Sequence, residues 1–258
     1  MPESPILEVD GLAKSFGGVK AVNDASFSVR SGSLTSLIGP NGAGKTTAFN
    51  LITGFVKPDA GRVRFSGRDI TGLRADKIAR MGLVRTFQLT RVLAKMRVIE
   101  NVMLAAPEQP GESFLVAAFQ PSRWRRRERA VREQALEVLA DVGLADKADD
   151  YAGTLSGGQR KLLEIGRALM SGPRLVLLDE PMAGVNPTLG RELIDYLQRL
   201  RATRDLTILF VEHDMDVVME VSEEVIVMAD GRDIAVGTPG SIRSEQRVID
   251  AYLGTESP

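Results

Sequence analysis

The stretch "GPNGAGKT", residues 39–46, decides how the rest of this chain is read. It fits the pattern G-x-x-x-x-G-K-[ST], a loop built to hold phosphate. Gly39, Gly42 and Gly44 let backbone N–H groups converge on phosphate oxygens with no Cβ in the way. Lys45 supplies a cation to the β- and γ-phosphates, and the Thr46 hydroxyl suits Mg²⁺. The apolar run "LTSLIG" (34–39) precedes the loop, and "GKTTAFNLITG" (44–54) reads as a helix closed by Gly54. Strand, loop and helix in that order aim a positive helix end at the bound anion.

Outward from this loop, the first third reads as short strands with turn punctuation: "ILEVD", "ASFSV", "LTSLIG" and "GRVRFSG". The middle is helical, because "REQALEVLADVGL" (132–144) places apolar residues at 135, 136, 138, 139 and 142. Three prolines break that regularity in 107–123, which reads as a loop or insertion. After residue 173 the order is strand "RLVLLD", helix, strand "LTILFV", helix "MDVVMEVS" and strand "EVIVMAD". Alternating helices and continuously apolar strands predict an α/β core with a parallel sheet covered on both faces. A helical insert spans about 89–172.

Composition limits what this core can do. The 43% hydrophobic and 26% charged shares are those of an ordinary globular protein with room for a core in 258 residues. Thirty-three basic and 34 acidic side chains nearly cancel, so no global field draws the chain to nucleic acid or anionic lipid. No cysteine is present, which excludes disulfides and thiolate chemistry and fits a reducing cytosol. The N-terminal "MPESPILEVD" lacks the features of a signal peptide, and the apolar runs fall far short of a membrane span. A membrane role is therefore expected to go through a partner.

Two further segments carry chemistry. "RLVLLDEP" (174–181) is a buried strand ending in two carboxylates, where ligands bind in an open parallel sheet. Asp179 suits contact with Mg²⁺ and Glu180 suits polarising an attacking water. In "LSGGQRKLLEIGRALM" (155–170), Ser156 and Gln159 form a capping box, and Leu162, Ile165, Gly166 and Leu169 form a buried stripe. A helix thus begins near Gly157 with two glycines exposing its first amides, a second anion site beside a phosphate loop that already serves one nucleotide.

"LSGGQ" between a phosphate loop and "LLDEP" resembles the ATPase subunits of ABC transporters. The resemblance covers essentially the whole chain and accounts for the second anion site, since in that family the signature helix of one subunit caps the γ-phosphate held by another. It implies a P-loop NTPase (RecA-like) core with a mainly parallel sheet, formed by 1–88 and 173–240 and carrying an N-terminal antiparallel β subdomain. It also implies an α-helical signature subdomain at 89–172 and a C-terminal tail at 241–258. The implied ATP contacts are Gly39, Pro40, Asn41, Gly42, Ala43, Gly44, Lys45, Thr46 and Thr47, with Ser156, Gly157, Gly158 and Gln159 contributed across a dimer. Phe16, in "KSFGG", matches the aromatic that stacks on adenine, although an aromatic there is more often core.

Gln88, in "RTFQLT", matches the glutamine that contacts Mg²⁺ and the catalytic water; with Thr46 and Asp179 it makes the implied metal set. "AGVNP" (183–187) matches the D-loop, with Asn186 where many members carry aspartate. Asn keeps the hydrogen bonds and loses the charge. His213, the chain's one histidine, follows "LTILFV" and matches the switch residue at the γ-phosphate, so the implied catalytic set is Glu180, His213 and Gln88. Glu212 and Asp214 flank it, and either could cap the next helix.

A finer resemblance is to the subunit of importers for branched-chain amino acids, carried by "RTFQLTRVLAKMRVIENVMLA", "EPMAGVNP", "VEHDMDVVMEVSEEVIVMADGRDIAVGTP" and "VIDAYLG". It implies an ATPase dimer, homomeric or paired with a related subunit, on the inner face of the cell membrane. Integral permease subunits and, indirectly, a solute-binding protein are its implied partners, with no nucleic acid. A lipid or lipopolysaccharide exporter would share every catalytic motif and stays open here. A soluble ABC ATPase of translation or repair fits less well, because 258 residues without sustained heptads hold neither two cassettes nor long coiled-coil arms. "RWRRRERAVRE" (123–133), with Trp124, reads as a solvated helix face or as a lipid-headgroup or membrane-partner contact, and "FLVAAF" (114–119) as packed against the helical insert or lying near the membrane subunit.

Overall fold

The structure, a computed structural model, describes residues 5–86, 92–107, 121–185 and 187–253. The chain divides into two compact units, one formed by 1–88, 174–182 and 197–258, the other by 89–173 and 183–196.

In the first unit, strands β1 (Pro5–Phe16), β2 (Val19–Arg30), β4 (Ala60–Phe65) and β5 (Arg68–Asp69) form an antiparallel sheet in the order β2-β1-β4-β5. A second sheet runs β10 (Arg232–Gly237), β9 (Glu224–Ala229), β3 (Leu34–Ile38), β8 (Thr207–Val211), β7 (Leu175–Asp179) and β6 (Leu83–Arg85). All its pairs are parallel except β9–β10. Every residue of β3, β7 and β8 is buried, Thr35, Ser36, Asp179 and Thr207 included, as in a parallel sheet covered on both faces. One hydrophobic core joins Leu7, Phe27 and Phe65 of the antiparallel sheet to Phe49 of α1 (Lys45–Ile52) and Leu37, Leu209 and Met228 of the parallel one. Helix α2 (Ala75–Arg80) and the short strand β6 add elements that the hydrophobic pattern did not announce.

The second unit packs α3 (Val98–Met103), α4 (Pro121–Asp141) and α5 (Gly157–Met170) on one another. Helix α4 starts at Pro121, inside the stretch expected to be irregular, because proline suits a first helical turn as well as a loop. Residues 125–130 of its basic run are exposed, and "FLVAAF" lies outside the described residues. Gly166 of α5 faces Val102, Val138 and Val142, which a Cβ there would meet at ordinary contact distances of 3.5–3.8 Å. Asn101 is fully buried and holds the segment before α3: its Oδ1 accepts from the Leu93 N–H at 2.8 Å, and its Nδ2 donates to the Arg97 carbonyl at 2.9 Å. That segment bonds in turn to the approach of α5, through Ala152 N–H to Met96 O and Gly153 N–H to Ala94 O.

Helix α6 (Pro187–Arg204) precedes β8, and α7 (Met215–Val221) follows it. Helix α8 (Pro239–Arg243) begins two residues before the expected tail, and α9 (Gln246–Leu253) lies within it; their Ile242 and Val248 are buried. Among the described residues no helix is long and apolar enough to cross a membrane.

Replacing Asn101 by Ala should lower the free energy of unfolding by about 2 kcal/mol, since each buried backbone group left unpaired costs about 1–3 kcal/mol. Urea denaturation checks it, the midpoint falling at unchanged slope.

Candidate active site

The phosphate loop is held in shape by its glycines. Gly39 (φ 147°) and Gly44 (φ 96°) sit where a Cβ would collide with the Met228 and Ala21 carbonyl oxygens. Gly42 (φ 80°) is different: a Cβ there meets nothing described within 4 Å, so its demand is conformational alone. Lys45 opens α1, is 6% exposed, and donates from Nζ to the Gly39 and Pro40 carbonyls at 2.7 and 3.0 Å. Burial pushes its ammonium below the ordinary lysine range, and the nearby Glu180 and Asp179 carboxylates oppose that shift. Asn41 and Thr46 are exposed, Thr47 is half-buried and Ala43 is buried.

Two supports of this loop escaped the sequence reading. The turn Asp230–Gly231 between β9 and β10 donates the Gly231 N–H to Ala43 O at 3.1 Å, while Gly231 O accepts from Asn23 of β2 at 2.7 Å. Its Asp-Gly pair between two apolar runs is a hairpin signal that was legible in the sequence. From α9, the Tyr252 hydroxyl is hydrogen-bonded to the Gly39 backbone, and burial raises its phenol above the ordinary range.

The acidic residues stand where β7 ends. Arg85 donates from Nη2 to Asp179 Oδ2 at 2.6 Å and from Nη1 to Asn50 Oδ1 at 2.6 Å. The Arg85 and Asp179 side chains are only 9% and 1% exposed. Asp179 Oδ1 is buried and has no hydrogen-bond partner among the described residues. Glu180 takes a left-handed backbone (φ 48°), donates its N–H to Val211 O at 3.0 Å, and sets Oε1 2.9 Å from His213 Nε2. Carboxylate and imidazole, 33 positions apart, thus meet directly at one sheet edge. An ionised carboxylate can only accept, so the imidazole Nε2–H is the donor.

The residues flanking His213 have separate tasks. Asp214 caps α7, accepting from the Asp216 and Val217 N–H groups. Glu212 is 5% exposed and accepts from the Met182 and His213 backbone N–H groups at 2.7 and 3.3 Å.

Phe16 is 48% exposed at the end of β1, which removes it from the core. The Lys14 Nζ lies 5.6 Å from its ring centroid and pairs with Asp59 at 2.6 Å, while Asp59 also accepts from the Ser15 N–H. The hydrogen bond from Lys14 holds the Asp59 carboxyl below the usual carboxylate range. The residues leading to the aromatic are thereby fixed while the ring stays open to a flat ligand.

In the second unit, α5 begins at Gly157 with the expected box: Ser156 Oγ accepts from the Gln159 N–H at 3.2 Å, and Gln159 Oε1 accepts from the Ser156 N–H at 3.0 Å. Arg160 locks the turn by donating to the Leu155 carbonyl. Gly157 is exposed and Gly158 buried. Gly184 (φ 72°) gives the segment after Glu180 its turn. Gln88 and Asn186 lie outside the described residues.

Comparison with known proteins follows the same lines. Residues 22–183 match the ABC transporter family, and residues 234–257 match the branched-chain amino acid ATP-binding cassette transporter family. The chain is 45% identical over 250 residues to the high-affinity branched-chain amino acid transport ATP-binding protein BraF of Pseudomonas aeruginosa, covering 97% of this chain and 98% of that protein. It is 41% identical, with the same coverages, to the LivG protein of like description from Escherichia coli. Among solved structures, an ATP-binding cassette of an ABC transporter in its ADP conformation superposes with a TM-score of 0.84 at 40% identity, covering 97% of this chain and 99% of that one. A nucleotide-free cassette gives 0.82 at 39% identity, with coverages of 96% and 99%. Motifs, fold and relatives agree that this chain belongs to the ATP-binding cassette family of transporter ATPases.

Proposed function

We propose that this chain is the ATP-hydrolysing subunit of an importer for branched-chain amino acids. The observation that carries the catalytic half is the Glu180–His213 contact of 2.9 Å at the sheet edge, with Lys45 close enough to feel the Glu180 charge. The solute half rests on the match at 234–257 and on the descriptions of BraF and LivG, which speak for amino-acid transport over lipid or lipopolysaccharide export.

In this reading Phe16 stacks on adenine and the backbone N–H groups of Asn41 to Thr47 cradle the phosphates. Lys45 leaves its loop carbonyls for the β- and γ-phosphates. Glu180 accepts the proton of the attacking water, and His213 turns its Nε2–H from the Glu180 carboxylate to the γ-phosphate once nucleotide is bound.

The residues present fit Mg²⁺. Asp179 has one oxygen taken by Arg85 and one buried and unpartnered, and Thr46 is exposed at the start of α1. Few protein oxygens suit an ion that keeps most of its shell as water and phosphate. Thr46, Asp179 and Gln88 would hold it, and when bound it neutralises charge developing on the phosphoryl oxygens.

The Ser156–Gln159 turn of a second subunit closes over the γ-phosphate, because helix N-termini favour anions and this one is capped yet exposed. The segments 1–88 with 173–240 act as nucleotide-binding core and 89–172 as signature subdomain. The dimer, homomeric or with a related subunit, works at the inner membrane face against permease subunits, and through them with a solute-binding protein.

Glu180→Gln should bind ATP normally while turnover falls about 10²- to 10⁴-fold, the range set by removing a general base. Filter binding and phosphate release measure the two halves. In mixed dimers, one Ser156→Ala protomer should impair the site whose Lys45 belongs to the other, as single-turnover assays with Lys45→Ala on either chain would read out. Reconstituted with its permease, the ATPase should be stimulated by a binding protein loaded with leucine, isoleucine or valine and not by one loaded with a charged amino acid.

A further inference from the structure

We propose that Glu212 is a positioning residue for hydrolysis, setting the separation of Glu180 and His213 by holding the backbones of both their turns. The inference rests on the reading of Glu180 and His213 as the hydrolytic pair.

Regular pairing between β7 and β8 runs to Asp179 opposite Val211, and its last bond is Glu180 N–H to Val211 O at 3.0 Å. Beyond that point the backbone of Glu180 turns left-handed, and the ladder cannot continue. A side chain takes over. Glu212 Oε1 accepts from the Met182 N–H at 2.7 Å, two residues past Glu180, and Oε2 accepts from the His213 N–H at 3.3 Å. A closed circuit results: Glu180 side chain to His213 ring, His213 backbone to Glu212, Glu212 to Met182, and back through Pro181.

The chemistry of this position is specific. A carboxylate buried to 5% exposure is costly unless paired, so an apolar side chain would serve packing better. Two amide donors call for two acceptors on one planar group, which a carboxylate offers. Glutamine offers one acceptor and sets its NH₂ against the other amide; aspartate keeps both acceptors but loses reach by one methylene. Met182 leads straight into Ala183–Val185, so the same clamp fixes where that segment starts.

The test compares Glu212→Gln and Glu212→Asp with Glu180→Gln and His213→Ala in the full-length ATPase. Each Glu212 variant should lose ten- to a hundredfold in kcat, the scale of a misplacement near one ångström. KM for ATP should stay close to the parent, and Tm should fall by no more than one lost buried hydrogen bond accounts for. Combined with His213→Ala, Glu212→Gln should add almost no further loss, because both act on one geometry. Unchanged kcat, losses that multiply in the double variant, or a fall in kcat tracking Tm would each overturn the proposal. Full turnover by Glu180→Gln would instead remove the hydrolytic pair on which it rests.

Discussion

Parallel pairing of three buried strands is the constraint on which the site depends. Because β3 lies beside β8, and β8 beside β7, their carboxyl ends emerge at one edge. Ile38, Asp179 and Val211 are each the last residue of a strand. The phosphate loop, the acidic pair and the histidine turn therefore begin within adjacent strand spacings, although 141 positions separate Ile38 from Asp179 in the sequence. Asp179 apart, these strands carry no chemistry of their own: they are mostly apolar, with Thr35, Ser36 and Thr207 buried among them, and burial on both faces keeps the register from slipping.

Charge at that edge is arranged in two layers. Arg85 neutralises Asp179 in the interior while its other nitrogen binds Asn50 of α1, tying the strand edge to the helix that follows the phosphate loop. Nearer to solvent, Glu180 meets His213, and Lys45 lies within reach of both carboxylates. Breaking a buried pair such as Arg85–Asp179 leaves an uncompensated charge, commonly worth about 3–5 kcal/mol, whereas the outer pair is partly solvated and free to exchange partners. Permanence inside and exchangeability outside are what a site that binds, cleaves and releases a polyanion requires.

What was legible in the sequence had local causes. The loop glycines, the Ser156–Gln159 box and the start of α5 at Gly157 depend on spacings of a few residues, and the structure carries each of them. Phe16 could be read either way from sequence; its exposure takes it out of the core. Tertiary partners were not legible. Nothing near Arg85 announces Asp179, 94 positions on, and nothing around Tyr252 points to Gly39. Glu212 was seen as a possible cap because acids before helices usually are caps; its neighbour Asp214 fills that role, and only three-dimensional contact shows Met182 as the partner of Glu212. The regularity of 121–123 was missed because proline marks loops and helix starts alike.

The bond between Tyr252 and the Gly39 backbone changes what the last helix means. Helix α9 is separated from the phosphate loop in sequence by nearly the whole chain, yet one hydroxyl joins it to the loop's first glycine. The phosphate loop thus has a support from the far end of the chain, and a small fluorophore or spin label on the exposed face of α9 would report from beside the loop while standing off the phosphate-facing side.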